Sequence, residues 1–571
     1  MIGMHIHVIP NRNSKPAILL RESYREGGKV KKRTLANLSH FPIDQVDTLS
    51  RALKGEKLAP VDSLFEVIDS KLYGHVEAVR LAMRRLGFEK LVSSNSSRER
   101  DLVVAMVAAR ILEPDSKLAT TRWWNNTTLS EDLGVDDADE DELYAAMDWL
   151  LDRQGRIEKK LAGRHLHDGG LVLYDLTSSY VEGTACPLAV LGLNRDEKKG
   201  KLQVNYGLLT DERGCPVSVS VFPGNTADAS TLVPQAQKAR DEFGIDRLVL
   251  VGDRGMISSK QIEQLREMGE VDWITALRSG QIRKLLEGGT IDMSLFDKRD
   301  LYEVTHPDFP GERLVVCRNP LMAERREHTR ESLLQATLAE LEKVRGMVAR
   351  GRLKGKEKIG VRVGRVVNKY KMAKHIHLDI EEDSFDYRVL VESVKAEAAM
   401  DGLYVIRTSL AEERMGAEDA VRRYKDLAQV ERAFRSLKSI DLKVRPIYHH
   451  LKRRVRAHIF LCMPAYYVEW HMKEAWRGLL FSDEEQERKK DRDPVAPAKR
   501  SAKTLKKVHG KRLEDGTTAH SFRTLLGSLS TIVRNTCRRQ GAGPEEASFT
   551  MMTRANAKQK RAFALIDTIT L

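Results

Sequence analysis

Cysteine is scarce in this chain of 571 residues. The five cysteines (Cys186, Cys215, Cys317, Cys462 and Cys537) are odd in number and scattered, and none forms a CxxC pair. That usage fits a reducing cytoplasm and argues against a structural zinc. No window holds about 18 uninterrupted apolar residues, so no membrane span is expected. The basic segments interrupt a packed core and form no amphipathic tail, which disfavours a membrane-surface role. The N-terminus "MIGMHIHVIPNRNSK" lacks a basic stretch followed by an apolar run, so no signal peptide is read there. A Gly-rich phosphate loop is missing, and with it the case for a nucleotide cofactor. Tryptophan is sparse too: Trp123, Trp124, Trp149, Trp273, Trp470 and Trp476 leave residues 278–402 with none. There is no internal repeat.

What is present is a large, charged, core-forming chain. Hydrophobic residues make up 41% and charged residues 31%, enough for several domains with a buried core and a polar surface. The net charge of +14, with a pI near 9.3, points to a polyanionic partner. The charge is concentrated. From Arg422 to Arg456 twelve Lys and Arg stand against Asp426, Glu431 and Asp441, an excess of nine. Such density on a stretch that also carries an apolar stripe favours phosphate binding.

The hydrophobic pattern divides the chain. Residues 1–60 hold a β-hairpin over 17–38, with extended runs flanking Gly27-Gly28. Residues 61–168 read as helical, a region that either binds DNA ends or serves as packing. "DADEDELYAAMDWLLDRQGRIEKKLAGRHL" begins with acids and ends with bases, as a helix dipole favours. From 169 to 277 the pattern becomes strand, strand, strand, helix, strand, helix, strand. It opens on the buried run "LVLYDLTSSY" and includes a hairpin turning at Asp211 to Gly214. This predicts an α/β fold with a mixed sheet. Residues 278–402 interrupt the rhythm with a charged helix near 320–350 and strands around 361–367 and 387–391. Residues 403–481 resume with the strand "GLYVIRTS" and a helix. Residues 482–571 read as a linker (482–500) and a basic tail with one helix near "SFRTLLGSLSTIV".

Three carboxylates stand out. Asp175 interrupts the first buried strand, and Asp253 sits where the fourth leaves the sheet. Each placement is costly for an isolated charge, although an Asp after a strand is more often a turn or helix cap. Glu431 lies in "YKDLAQVERAFRSLK" (424–438), beside the stripe of Leu427, Val430, Phe434 and Leu437, and is expected to be half buried. Its bland reading is an ion pair with Arg435. If the first and fourth strands are neighbours the aspartates converge, and the helix packs Glu431 across the same edge. Mutual repulsion and desolvation would then raise their pKa values. Hard oxygen ligands suit Mg²⁺, which would relieve the conflict.

These residues carry a resemblance. "YKDLAQVERAFRSLK" has the Tyr-x2-Arg-x3-Glu-x6-Lys spacing at Tyr424, Glu431 and Lys438, and "YDLTSSY" and "VGDRG" supply the two aspartates in order. The chain resembles bacterial insertion-sequence transposases of the DDE class, whose catalytic domain is RNase H-like with a β-rich insertion before the Glu. The resemblance spans roughly residues 100 to 480. It implies that Asp175, Asp253 and Glu431 are catalytic and hold two Mg²⁺ ions, with Mn²⁺ as a substitute. It implies that Tyr424, Lys438, Arg435 and Arg423 contact DNA. The implied partners are the terminal inverted repeats and target DNA, bound by a homodimer in the synaptic complex, in the bacterial cytoplasm. The chain departs from the signature at Leu427, where relatives carry the Arg; Arg423, one turn earlier, is the substitute on nearly the same face. The insertion offers Tyr302, Phe309, Tyr370, Phe385 and Tyr387 for base stacking in place of a Trp.

Two other functions use the same residues: a structure-specific nuclease on the same fold, and a DNA-binding derivative without catalysis. The pairs His5/His7, His165/His167 and His375/His377 have metal-chelating spacing but no evident partner ligand, so ordinary surface or core histidines are expected. "YHHLKRRVRAH" (448–458) is either a phosphate contact or an exposed basic face.

Overall fold

The computed structural model describes residues 3–12, 14–56, 64–296, 300–485, 493–496 and 499–571. The chain divides into two compact units, one of residues up to Lys71 with Arg534–Thr553, the other of Leu72–Val533 with Arg554–Leu571.

In the smaller unit, β1 (Gly3–Ile9), β2 (Ala17–Glu26) and β3 (Lys29–Asn37) form an antiparallel sheet in that order. Gly27 and Gly28 both adopt positive φ, +57° and +79°, the pair of left-handed residues a tight hairpin turn requires. The expected hairpin is therefore present, with β1 added to it. A helix spans Ile43–Leu53. The next segment corrects the sequence reading: "FEVIDSKL" is a strand, β4 (Phe65–Leu72), where helix was expected from residue 61. It joins a three-stranded sheet with Val533–Arg539 and Phe549–Met552. The rest of the 61–168 segment is helical from Gly74 onward.

The main core of the larger unit is shared by helices and sheet. Ser97 and Asp139 cap the helices Arg98–Leu112 and Glu140–Leu151 by accepting the N–H of Arg100 and Glu142. Arg98–Leu112 is buried continuously from Leu102 to its end, so only its first turn is charged and wet. Helix Lys452–Ala475 is likewise buried from Ala457 to Met472 and packs on both of these helices. Its basic residues are confined to its ends. Among the described residues no helix is long and apolar enough to cross a membrane.

The main sheet comprises β5 (Gly170–Tyr180), β6 (Gln203–Asp211), β7 (Pro216–Pro223), β8 (Leu248–Val251), β9 (Val271–Ala276), β10 (Leu301–Val304) and β11 (Arg313–Arg318). After the separate hairpin of β12 (Ile376–Ile380) and β13 (Phe385–Val389), β14 (Leu403–Thr408) returns to it. The order is β10-β11-β14-β9-β8-β5-β6-β7. β8 lies parallel to both β5 and β9; the other pairs are antiparallel. The first and fourth strands of the expected series, β5 and β8, are thus neighbours, as convergence of the two aspartates requires. The β6–β7 hairpin turns at Asp211–Gly214 as expected, with Gly214 at φ +84°. Gly207 on β6 is obligatory for another reason: a Cβ there would lie 2.1 Å from the Tyr174 hydroxyl. The missing side chain makes room for the Tyr174 ring one residue before Asp175.

Residues 278–402 do not stand apart as a β-rich body. β10 and β11 extend the main sheet beyond β14. Between β11 and β14 the structure is chiefly two helices, Pro320–Ala349 and Lys356–Tyr370, which share a small core with the β12–β13 hairpin. The strand expected around 361–367 is part of the second helix. Its buried residues Ile359, Val363, Val366 and Val367 recur at helical spacing, and packing of that stripe overrides the β preference of the valines. The strand expected at 387–391 is β13.

The linker expected over 482–500 lies partly outside the described residues. The expected C-terminal helix is Phe522–Ser530, and its Leu525, Leu526 and Leu529 belong to the main core. Trp476 Nε1 donates to the carbonyl of Ala562 at 2.9 Å, fastening the last helix, Ala557–Asp567.

Candidate active site

Asp175 occupies the middle of β5, half buried between Tyr174 and Leu176. Its Oδ1 accepts the N–H of Leu176 at 2.8 Å, a bond to its own neighbour that caps no helix. Asp253 follows the end of β8 and is exposed. Its backbone carbonyl accepts the N–H of Met256 at 2.8 Å, which turns the chain and leaves the carboxylate free. That carboxylate receives the Tyr424 hydroxyl at 3.1 Å. Neither aspartate is therefore a helix cap.

Glu431 belongs to helix Leu427–Arg435. Val430, Ala433 and Phe434 bury one face of this helix, which packs on β5. Glu431 is exposed, not half buried as its place beside the apolar stripe suggested. The long helix expected over 424–438 is broken. Helix Ala417–Lys425 ends before Asp426, Leu427–Arg435 follows, and a π-helical turn covers Ser436–Ile440. The Glu431–Arg435 ion pair of the bland reading does not form, and Arg435 is exposed.

The electrostatics tie the three acids together. The Asp175 carboxyl is pushed up to about 7, first by burial and further by the negative charges of Asp253 and Glu431. The Leu176 N–H and the Arg195 guanidinium oppose that shift. Burial and the adjacent Asp253 carboxylate raise the Tyr424 phenol, so it stays a proton donor. The acids' oxygens do not all lie within 4.8 Å of one another.

The basic residues divide between pairing and exposure. Lys438 is buried, its Nζ 2.9 Å from Asp196 Oδ1, and burial lowers its pKa. Arg445 pairs with the same oxygen, and Asp196 Oδ2 accepts the Tyr180 N–H at 3.1 Å. Arg423 is half buried and paired with Glu212 at 2.9 Å and Asp426 at 3.5 Å. Arg422 pairs with Glu418 and Asp419, and Arg453 and Arg454 with Asp148. Thus much of the basic run is neutralised within the fold. Arg432, Arg435, Lys443, Lys452 and Arg456 are exposed and form no ion pair with a described residue. Of the five aromatics available for stacking, Phe309 and Phe385 are buried and Tyr302, Tyr370 and Tyr387 half buried. Sequence reasoning missed Asp196 and Arg195: both lie in the β5–β6 connection, where no periodicity marks them.

A half-buried carboxyl in mid-strand, an exposed one just after the neighbouring strand and a third on a packed helix make an acid site suited to phosphodiester chemistry. Residues 171–468, more than half of the chain, match the transposase DDE domain family, and the chain belongs to it. Residues 6–60 match the N-terminal domain of IS1634 family transposases. The protein is a DDE transposase, an enzyme that catalyses DNA transposition. DDE transposases use divalent metal ions. No curated protein matches the sequence. Among solved structures the chain is similar to the "Cryo-EM structure of piggyBac transposase synaptic complex with hairpin DNA (SNHP)". That likeness covers 80% of this chain and 77% of that one at 9% identity, with a TM-score of 0.36.

Proposed function

We propose that Asp175, Asp253 and Glu431 are the catalytic carboxylates, that they hold two Mg²⁺ ions, and that the protein cuts its element's terminal inverted repeats and joins them to target DNA. The observation that carries this reading is that the Asp175 carboxyl, raised first by its burial, is raised further by the negative charges of both Asp253 and Glu431. Such a cluster stores repulsion that divalent cations relieve, and all-oxygen donors suit Mg²⁺, with Mn²⁺ as a substitute. Asp175, Asp253 and Glu431 would together hold the ions. When bound, the ions activate the attacking oxygen and stabilise the leaving 3′ oxygen of an in-line displacement.

The chain's own residues do the rest. β5 and β8 fix the two aspartates on adjacent parallel strands of an RNase H-like sheet. Tyr424 donates to Asp253 and holds its carboxylate in one orientation. The packed face of Leu427–Arg435 sets Glu431 against β5. Arg435 is placed to take a phosphate, while Lys438 and Arg423 act by ordering the helix through Asp196 and Glu212. The segments 1–60, 61–168, 278–402 and 482–571 are then accessory to a catalytic body split over 169–277 and 403–481. The active form is a homodimer pairing two DNA ends in the cytoplasm.

The test is Glu431→Gln, assayed on duplexes carrying the element's ends. Mg²⁺-dependent nicking and strand transfer should disappear while a mobility-shift assay shows the ends still bound. Strand transfer at the wild-type rate would refute the assignment.

A further inference from the structure

Outside the carboxylate site, three residues far apart in sequence bring lone-pair atoms to one point. His165 ends helix Gln154–His165, Cys215 leads into β7, and His471 lies near the end of Lys452–Ala475. Cys215 Sγ is 3.8 Å from His471 Nε2 and 4.0 Å from His165 Nε2. All three ligand atoms lie within 4.8 Å of one another. The Cys215 and His471 residues are buried, and the His165 side chain is only 4% exposed.

We propose that Cys215, His165 and His471 form a structural zinc site. In a tetrahedral site Zn–S is about 2.3 Å and Zn–N about 2.0–2.1 Å, which places sulfur and nitrogen roughly 3.6 Å apart. The two sulfur–nitrogen separations need to contract by only a few tenths of an ångström, and the two nitrogens lie within 4.8 Å of each other. A thiolate with two imidazoles is a donor set that favours zinc and is poorly suited to Mg²⁺. His165 and His471 also line a cavity of about 280 Å³ with Arg213, Trp470 and Glu474, which has room for a water as a fourth ligand. Binding displaces the thiol proton to solvent, and it displaces the Tyr467 hydroxyl, which lies 3.0 Å from His165 Nε2.

The surroundings are built to present these ligands. Asp211 Oδ1 accepts the N–H of Arg213 and of Cys215, each at 2.9 Å, which fixes the turn carrying the thiol. Asp211 Oδ2 lies 4.0 Å from His165 Nδ1 and would accept a hydrogen bond from its N–H after a small approach, with Nε2 on the metal. Arg213 Nη2 now lies 3.4 Å from Nδ1 and donates to Asp211 Oδ2 at 2.8 Å, so it would have to move for that contact to form. The site would pin the last helix before the sheet, the β6–β7 hairpin and the central helix, segments 50 and 256 residues apart along the chain. The absence of a CxxC pair does not bear on a site whose ligands come from three separate elements.

Untagged full-length protein, incubated with Zn²⁺ and freed of excess by gel filtration, should retain one zinc per chain by elemental analysis. Cobalt in its place should show a thiolate charge-transfer band and the intense visible bands of tetrahedral coordination. Chelation should lower the thermal midpoint, and Zn²⁺ should restore it. Cys215→Ser should lose the band, and His471→Gln should lose most of the metal. Glu431→Gln should keep both, which separates this site from the carboxylates. Wild-type protein that retains no zinc, or a cobalt complex without the thiolate band, would overturn the proposal whatever the variants do.

Discussion

Lys438 Nζ and Asp196 Oδ1 stand 2.9 Å apart in the interior, and Arg445 shares that oxygen. The signature lysine is therefore held in an internal ion pair. Breaking a buried pair from one side leaves an uncompensated charge, at a cost of about 3–5 kcal/mol. Lys438→Met leaves Asp196 with Arg445, whereas Asp196→Asn leaves both cations without a counterion. Asp196→Asn should thus lower the denaturant midpoint more than Lys438→Met. If Lys438 instead contacts phosphate directly, its variant will unfold like wild type and lose DNA affinity with a reduced salt slope.

The Tyr424 hydroxyl makes a charge-assisted bond to Asp253. Such bonds are worth about 1.5–3 kcal/mol. Tyr424→Phe keeps the ring, which packs against the core, and removes only that bond. Cleavage should fall by about tenfold or more at limiting Mg²⁺ and recover as Mg²⁺ is raised, because the ion can hold the carboxylate in the hydroxyl's stead. A loss that Mg²⁺ fails to repair would place Tyr424 on the DNA.

Asp175 makes the metal-free protein sensitive to pH. Its folded pKa of about 7 lies above its ordinary value of 3.8, so between these values the folded state binds more protons than the unfolded one. Stability therefore falls as pH rises through that window. Asp175→Asn should stabilise the protein in EDTA at pH 8, by at most about 4 kcal/mol. The gain should vanish below about pH 4. With Mg²⁺ present the order should reverse, since only the carboxylate form gains a ligand. Thermal midpoints of the two proteins at three pH values, with and without Mg²⁺, measure this directly.

The strands around the site were legible because they are buried on both faces. Runs such as "LVLY" in β5 and "LVLV" in β8 admit few alternatives, while their adjacency was only a condition for the aspartates to converge until the sheet order supplied it. What periodicity could not show was the break in the Glu431 helix. In the π-turn the N–H of Asp441 bonds to the carbonyl of Ser436, five residues back, at 3.2 Å. A wider turn shifts every later residue around the axis, so counting 100° per residue from Tyr424 misplaces Lys438. It is buried, while Ile440 is 62% exposed. Charge counting failed for a related reason: the partners of Arg423 and Lys438 are Glu212 and Asp196, over 200 residues upstream.

The exposed bases should separate from the paired ones in a salt titration. Each phosphate contact contributes about 0.9 to the slope of log affinity against log salt on duplex DNA. Arg435 is exposed without an ion pair, whereas Arg423 already neutralises Glu212 and Asp426. Arg435→Ala should lower the slope by about one and weaken end binding similarly for specific and unrelated duplexes. Arg423→Ala should leave the slope nearly unchanged and act through stability, because moving Arg423 to a phosphate would strip Glu212 of its partner. Equal slopes for wild type and Arg435→Ala, with a reduced slope for Arg423→Ala, would mean that DNA approaches along helix Ala417–Lys425 and that the protein exchanges its internal ion pair for the phosphate on binding.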